Sequence, residues 1–296
     1  MQIEIKGLSK VYPNGHAAIR DINLSIGSGM FGLLGPNGAG KSSLMRILVT
    51  LQRSTEGSVH MDGMEIDANR NAIREQIGYL PQDFTYFSKL RTWEFLDYSA
   101  RLGSRMGKKE RLKEVDRLLE LVGLLEVRER MANKLSGGMK RRLGIAQALI
   151  GKPRLLVIDE PTTGLDPEER IRFRNILSDL SQQDVTIILS THIVGDISST
   201  CQSMAMLHKG ELAYYGSPEG MISQVRGHVW EVTVDDQEFH QLKNKFPVIS
   251  TVPSGISWET QLIALEKPHP DAVSINPNLE HAYVFFMENK LGISLV

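Results

Sequence analysis

The strongest constraint on what this chain can fold into is the run from Gly32 to Leu48, GLLGPNGAGKSSLMRIL. Gly35, Gly40, Lys41 and Ser42 have the G-x-x-x-x-G-K-S spacing of a P-loop, in which lysine reaches the β- and γ-phosphates and the serine hydroxyl binds magnesium. Glycine lacks a Cβ, so in the loop Gly35, Pro36, Asn37, Gly38, Ala39 and Gly40 the main-chain N–H groups, which all but Pro36 carry, can turn inward around an anion. Met30-Phe31-Gly32-Leu33-Leu34 reads as a buried strand. The pattern after Lys41, Ser42 and Ser43 reads as a helix whose positive end faces the loop. A strand, a bare loop and a helix in that order demand a covered α/β core.

The rest of the chain is consistent with such a core. At 296 residues there is length for one large domain or two. A formal net charge of -1 gives no general attraction to nucleic acid or to anionic lipid, and nucleic acid is not expected as a partner. Cys201 is the sole cysteine, which excludes an internal disulfide and suits a reducing compartment. The start MQIEIKGLSK has no apolar signal core, and no run approaches the roughly 18 apolar residues of a spanning helix. Any membrane association is therefore expected through another subunit.

Apolar alternation at Ile3 and Ile5 and at Ile22, Leu24 and Ile26 predicts strands in the first thirty residues, and 58–61 and 77–80 repeat the strand pattern. From 83 to 133 the composition turns to helix formers, with Leu112, Val115, Leu118, Leu119 and Val122 in helical spacing, which predicts a helical insert. Strands at 155–158 and 186–190, a helix at 167–181 and a hairpin at 204–215 follow. A helix starting at Ser217-Pro218-Glu219 closes the first domain, placed at 1–226. Residues 227–296 read as a small α+β accessory domain, with strands at 229–234 and 261–265 and an apolar helix-like run at 282–287.

Two further segments carry chemistry. The apolar strand Leu155-Leu156-Val157-Ile158 ends in Asp159 and Glu160, at the sheet edge where open α/β folds bind ligands. Asp159 is expected to hold magnesium and Glu160 to orient and polarise the attacking water. Leu135-Ser136-Gly137-Gly138-Met139 opens a helix whose apolar positions 139, 143, 146 and 150 share one face, a second anion site. The basic triplet Lys140, Arg141 and Arg142 reads as a solvated helix face.

At this point the chain resembles the ATP-binding cassette (ABC) family over about residues 1–220. The resemblance rests on the Gly35–Ser43 loop, on Leu135–Met139 with Met where Gln is usual, on Asp159-Glu160, and on further motifs in family order. Tyr12 is similar to the aromatic that stacks on adenine, and Gln82 to the glutamine that senses magnesium. Asp166, in Gly164-Leu165-Asp166-Pro167, is similar to the loop crossing the dimer interface, and His192 to the histidine at the γ-phosphate. The implied fold is an α/β P-loop NTPase cassette with a mostly parallel core sheet, an antiparallel β subdomain and a helical insert. The implied cofactors are ATP and Mg2+, with Ser42, Gln82 and Asp159 at the metal and Lys41, Glu160 and His192 at the reacting phosphate.

Because the family grips the γ-phosphate with Ser136, Gly137 and Gly138 of a second subunit, a homodimer of nucleotide-binding subunits is expected. The resemblance further implies an ATPase that powers a separate transmembrane permease subunit from the cytoplasmic face of the cell membrane, with export favoured over import. Phe84, Tyr86, Phe87, Trp93, Phe95 and Tyr98 cluster after Gln82, where such cassettes receive a permease helix; packing within the insert is the alternative for them. A soluble cassette ATPase acting on DNA or ribosomes is the competing function. The accessory domain either modulates coupling or caps apolar surface.

Overall fold

The structure is a computed structural model that describes residues 1–87, 89–103 and 106–292. It divides into two compact units, Met1–Asp196 with Thr200–Tyr215, and Ile197–Ser199 with the chain from Gly216 onward. The helix Pro218–Ser223, which the sequence places at the close of the first domain, groups with the second unit.

In the first unit a six-stranded sheet runs Glu211–Gly216, Ser203–His208, Met30–Leu34, Thr186–Thr191, Leu155–Asp159, Ile77–Leu80. The last five of these strands are parallel. Leu155 to Ile158 and Ile187 to Leu189 are buried throughout, as parallel strands covered on both faces must be. A second sheet, antiparallel, runs Ala17–Ile26, Ile3–Val11, Glu56–Met61, Met64–Glu65. Its inward side chains Ile3, Ile5, Ile22 and Leu24 share one apolar core with Phe31, Leu33, Leu155 and Val157 of the large sheet and Leu44, Ile47 and Leu48 of the P-loop helix Lys41–Leu48. That helix is fixed by packing, so the loop before it is held as well.

The helical insert contains Thr92–Gly103 and Lys108–Leu121, followed by short 3-10 turns at Leu125–Val127 and Ala132–Lys134. Val115, Leu118, Leu119 and Val122 are buried on its inner face, and the buried Arg111 ties the two helices by donating from Nε to Asp97 Oδ1 at 2.5 Å. The helix Gly137–Ala148 then returns to the large sheet, where it crosses Gly78 so closely that a Cβ there would stand 2.0 Å from the Ala148 carbonyl oxygen.

The second unit holds an antiparallel sheet in the order Val248–Ser254, Ser257–Ile263, Val229–Val234, Val273–Ser274. Helix Asp236–Lys243, capped by the Asp235 side chain, packs Phe239 and Leu242 onto Val232, Val234 and Leu262. Two features depart from the sequence expectation. The strand expected at 261–265 begins at Ser257 and ends at Ile263, because it pairs residue by residue with Val229–Val234 while Ala264 turns away to donate to the His228 carbonyl. Val248–Ser254, a segment to which the sequence reading assigns no element, is a strand; Pro253 is tolerated because the strand lies at the sheet edge. The apolar run at 282–287 lies on helix Leu279–Phe285 and the turn that continues it, with a capping box between Asn278 and His281.

The Gly78 contact is backbone against backbone, with no flexible side chain to move aside. Gly78→Ala should destabilise the protein by about 1–3 kcal/mol through overpacking, seen as a drop of several degrees in Tm; an unchanged Tm would show that strand and helix can part freely.

Candidate functional site

Four chain segments leave the carboxyl edge of the large sheet within reach of one another. Leu34 feeds the glycine loop, Leu80 feeds Pro81 and Gln82, Asp159 continues into Glu160, and Thr191 continues into His192. This is the edge at which open parallel sheets bind ligands.

The loop is pressed against its own scaffold. Gly40 has φ 104° at the start of the helix, and a Cβ there would lie 2.4 Å from the Ala18 carbonyl oxygen. Gly35 is equally constrained, with a Cβ 2.4 Å from the Leu207 carbonyl oxygen. The turn at Lys209 and Gly210, both with positive φ, supports the loop from below through Gly210 N donating to Ala39 O at 3.1 Å. Lys41, only 4% exposed, donates from Nζ to Gly35 O at 2.7 Å and Pro36 O at 3.2 Å, and approaches Glu160 Oε1 at 3.3 Å.

The two carboxylates are held differently. Asp159 Oδ1 accepts a short hydrogen bond from the Ser190 hydroxyl on the neighbouring strand. Glu160 adopts a left-handed backbone, φ 44°, uncommon for a residue with a side chain. Its N–H donates to Ser190 O at 3.1 Å and Ser190 Oγ at 3.2 Å. His192 Nδ1 lies 3.0 Å from Glu160 Oε2, so the Glu160 carboxylate is shared between a lysine and an imidazole.

A cleft of about 330 Å³ opens beside Lys41 and Glu160, lined by Tyr12, His16, Ala18, residues 37–43, Gln82 and Glu160; Gly35, Pro36, Asp159 and His192 lie outside this lining. Tyr12 is fixed at its mouth: its hydroxyl donates to Gln52 Oε1 at 3.1 Å and meets Ser43 Oγ at 3.0 Å. Burial alone would raise the phenol pKa, but the bonds to Ser43 and Gln52 and the charges of Arg46 and Lys10 outweigh it, and the pKa lies below its ordinary value. His16 was not singled out from the sequence. Its signal is the Pro13-Asn14-Gly15 turn, which returns residue 16 onto Tyr12 with backbone bonds Tyr12 N to His16 O and Gly15 N to Tyr12 O and with the two rings 14° from parallel.

Ser136, Gly137, Gly138 and Asp166 do not line this cleft. Ser136 Oγ accepts from Met139 N at 3.1 Å and Asp166 Oδ1 from Glu169 N at 2.8 Å, so each caps the helix it begins. The solvated face expected for the basic triplet is overturned at Arg141 and Arg142. Arg142 is buried, donating to the Val122 and Gly123 carbonyls and pairing with Glu169, and Arg141 is half-buried among four carbonyls. Helical periodicity counts apolar residues and cannot register a guanidinium whose partners lie in distant segments.

Fold and site together define a P-loop cassette ATPase. The model of the family described as "ABC transporter" matches residues 19–163. The chain is 32% identical over 251 residues to the uncharacterized ABC transporter ATP-binding protein YxlF of Bacillus subtilis, covering 84% of this chain and 82% of that protein. It is 32% identical to the probable multidrug ABC transporter ATP-binding protein YbhF of Escherichia coli, covering 92% of this chain and 47% of that one. It is 38% identical to the methionine import ATP-binding protein MetN of Cupriavidus metallidurans, over 72% of this chain and 64% of that one. The chain thus spans from about half to about four fifths of the length of these relatives. Among solved structures, the dimeric ABC transporter cassette MJ0796 superposes with a TM-score of 0.67 at 28% identity, covering 73% of this chain and 98% of that one. A post-hydrolysis dimer of the same cassette bound to ADP and Pi gives 0.66 at 27% identity, with the same coverage. The chain belongs to the ABC transporter ATP-binding proteins.

The convergence of Lys41 on the loop carbonyls and Glu160 makes it the positive charge of the cleft. Lys41→Ala should weaken ATP binding by about 1.5–3 kcal/mol, the range for a charged hydrogen bond, or roughly ten- to a hundredfold. Titration calorimetry reads this directly, and unchanged affinity would take Lys41 out of the site.

Proposed function

We propose that the chain hydrolyses ATP sandwiched between two copies of itself, the cleft over residues 35–43 of one copy facing Ser136, Gly137 and Gly138 of the other, with Asp166 at the shared surface. The observation that carries this is the contact chain that runs from the buried Lys41 and Glu160 out to the exposed His192 at the carboxyl edge of the parallel sheet. Tyr12 stacks on adenine. Lys41 exchanges Glu160 for the β- and γ-phosphates, which leaves the Glu160 carboxylate to His192 and to the attacking water. Glu160 accepts that water's proton at its carboxylate, and His192 holds the carboxylate in orientation.

The Ser42 hydroxyl, the Gln82 side-chain carbonyl and the Asp159 carboxylate form an all-oxygen donor set that suits a hard cation. Ser190 occupies only Oδ1 of Asp159. These three groups would hold Mg2+, which when bound neutralises charge on the phosphates.

The partner is a separate membrane-spanning permease, with the cassette peripheral on the cytoplasmic face; among the described residues no helix is long and apolar enough to cross a membrane itself. Of the six aromatics after Gln82, Tyr86 lies under the Lys140 ammonium and Trp93 under the Arg128 guanidinium, and the other four form two pairs. Phe95 is buried and Phe84 packs edge-on against it at 6.0 Å, serving the core of the insert. Phe87 and Tyr98, 55% and 43% exposed, meet edge-to-face at 5.3 Å and line a separate cleft of about 560 Å³ with Tyr79, Leu102 and Ile150. Phe95, Thr85, Ser99 and Gln147 line the same cleft, and an amphipathic helix of the permease fits a groove of that mixed composition. Export is the favoured direction, because the match to the multidrug relative extends over 92% of the chain whereas that to the methionine import relative extends over 72%. Residues 227–296 carry none of the phosphate-facing groups and act as an accessory domain.

Glu160→Gln should lower kcat by about 10²–10⁴-fold, the usual contribution of a general base. ATP binding should be retained, so that a dimer accumulates with ATP and magnesium in light scattering. Full turnover in this variant would exclude Glu160 as the base. Replacing Phe87 and Tyr98 together by Ala should weaken permease binding at least about tenfold, in line with exposed aromatic anchors of 1–2 kcal/mol or more. Co-purification with ribosomes or DNA in place of a polytopic membrane protein would overturn the transport reading.

A further inference from the structure

Arg141 has no place in the reaction described above, yet its side chain donates four hydrogen bonds to the backbone beside it. It sits one turn into the helix Gly137–Ala148 whose first residues follow Ser136. Nη2 donates to Glu160 O at 2.7 Å and Nε to Pro161 O at 3.0 Å. Nη1 donates to Gln82 O at 2.6 Å and Pro81 O at 3.1 Å. One planar fork therefore joins three segments that are remote in sequence: the helix after the Ser136-Gly137-Gly138 stretch, the segment carrying Gln82, and the peptide carrying Glu160. Burial draws the guanidinium pKa down while Asp159, Asp83 and Glu160 favour its charged form, so an unbroken positive charge faces the acids of the site.

The Glu160 peptide is a place where such a clamp matters. Its left-handed φ is a conformation that persists only when the surroundings over-determine it. Ser190 secures the N–H side of the residue, and Arg141 secures the carbonyl side. The direction of the Glu160 side chain, and with it the place of the Oε atoms beside Lys41 and His192, follows from that peptide. Because Arg141 stands on the helix that begins at Ser136, a shift of the helix would be carried to Glu160 and Gln82 with no intervening side chain.

We infer that Arg141 is a positioning residue for hydrolysis: its guanidinium locks the Glu160 and Gln82 backbones to the helix that begins at Ser136, so that the base is aligned only when that helix is seated. The inference rests on the proposed role of Glu160 as base. It involves no contact of Arg141 with nucleotide, which separates its expected effect from that of Lys41. A displaced reactive group of about 1 Å lowers rate by roughly a hundredfold without a matching loss of binding.

The test is steady-state ATPase kinetics of Arg141→Ala and Arg141→Lys in the full chain, with kcat expressed per ATP-binding-competent molecule and with Glu160→Gln as reference. The expected result is a ten- to hundredfold fall in kcat for both variants, with the KM for ATP within about twofold of the parent. Lysine should not rescue, since an ammonium keeps the charge but not the fork that spans four carbonyls. If the alanine variant does not fold, the lysine variant alone must show the same split. A parental kcat in Arg141→Lys would overturn the inference, because a point charge would then suffice. So would a raised KM with kcat preserved, which would place Arg141 at the nucleotide. If Glu160→Gln abolishes turnover while the Arg141 variants keep it, the inference fails and the reading of Glu160 stands; if Glu160→Gln itself keeps turnover, that reading fails.

Discussion

Lys41 and Glu160 face each other at 3.3 Å with almost no access to water, and much of the first unit can be understood as the means of keeping that arrangement. Withdrawing either charge from solvent costs several kcal/mol even after relaxation. Neither would be stable there alone. The loop carbonyls of Gly35 and Pro36 accept hydrogen bonds from the ammonium, and His192 and Thr163 share the other carboxylate oxygen. A low-dielectric edge of this kind makes an arriving phosphate a competitive partner for the lysine, since the same burial that strengthens one attraction strengthens the other. In the proposed cycle the ion pair is thus a placeholder, and its dissolution is what exposes the carboxylate.

The scaffold serves this edge in a definite order. Continuous apolar strands bury the sheet on both faces, and their carboxyl ends set Asp159, Thr191 and Leu34 side by side. The P-loop helix adds Leu44, Ile47 and Leu48 to the same core, so loop and strand ends cannot drift apart without opening it. Function-bearing side chains then sit on the short connections, where backbone strain can be held. Glu160 is the clearest instance, strained in φ and secured on both sides of its peptide.

Much of this was legible in the sequence because it depends on local chemistry. The Gly35 to Ser43 spacing, the apolar run into Asp159 and the Asp166-Pro167 start of the helix Pro167–Ser181 each announce themselves within a few residues. What escaped depends on distance. Arg141 is 60 residues from Pro81 and 19 from Glu160, and only the closed fold shows that its donors meet their carbonyls. His16 requires a turn to be recognised as a hairpin, and the strand Val248–Ser254 requires its neighbour Ser257–Ile263 to exist first. Of the aromatics after Gln82, composition alone could not say that Phe95 is interior and Phe87 is not.

The bond from Gly210 to the carbonyl of Ala39 has a practical consequence for anyone wishing to modify the chain. A two-residue turn that braces the glycine loop leaves no slack, and its Gly210 is itself packed against Ala18, so lengthening it would push directly on the floor of the cleft. The hairpin tip of the second unit is the opposite case, with Ile256 97% exposed and open space around Gly255. Labels, affinity tags or split-protein junctions belong there, and the turn at 209–210 should be treated as closed to insertion.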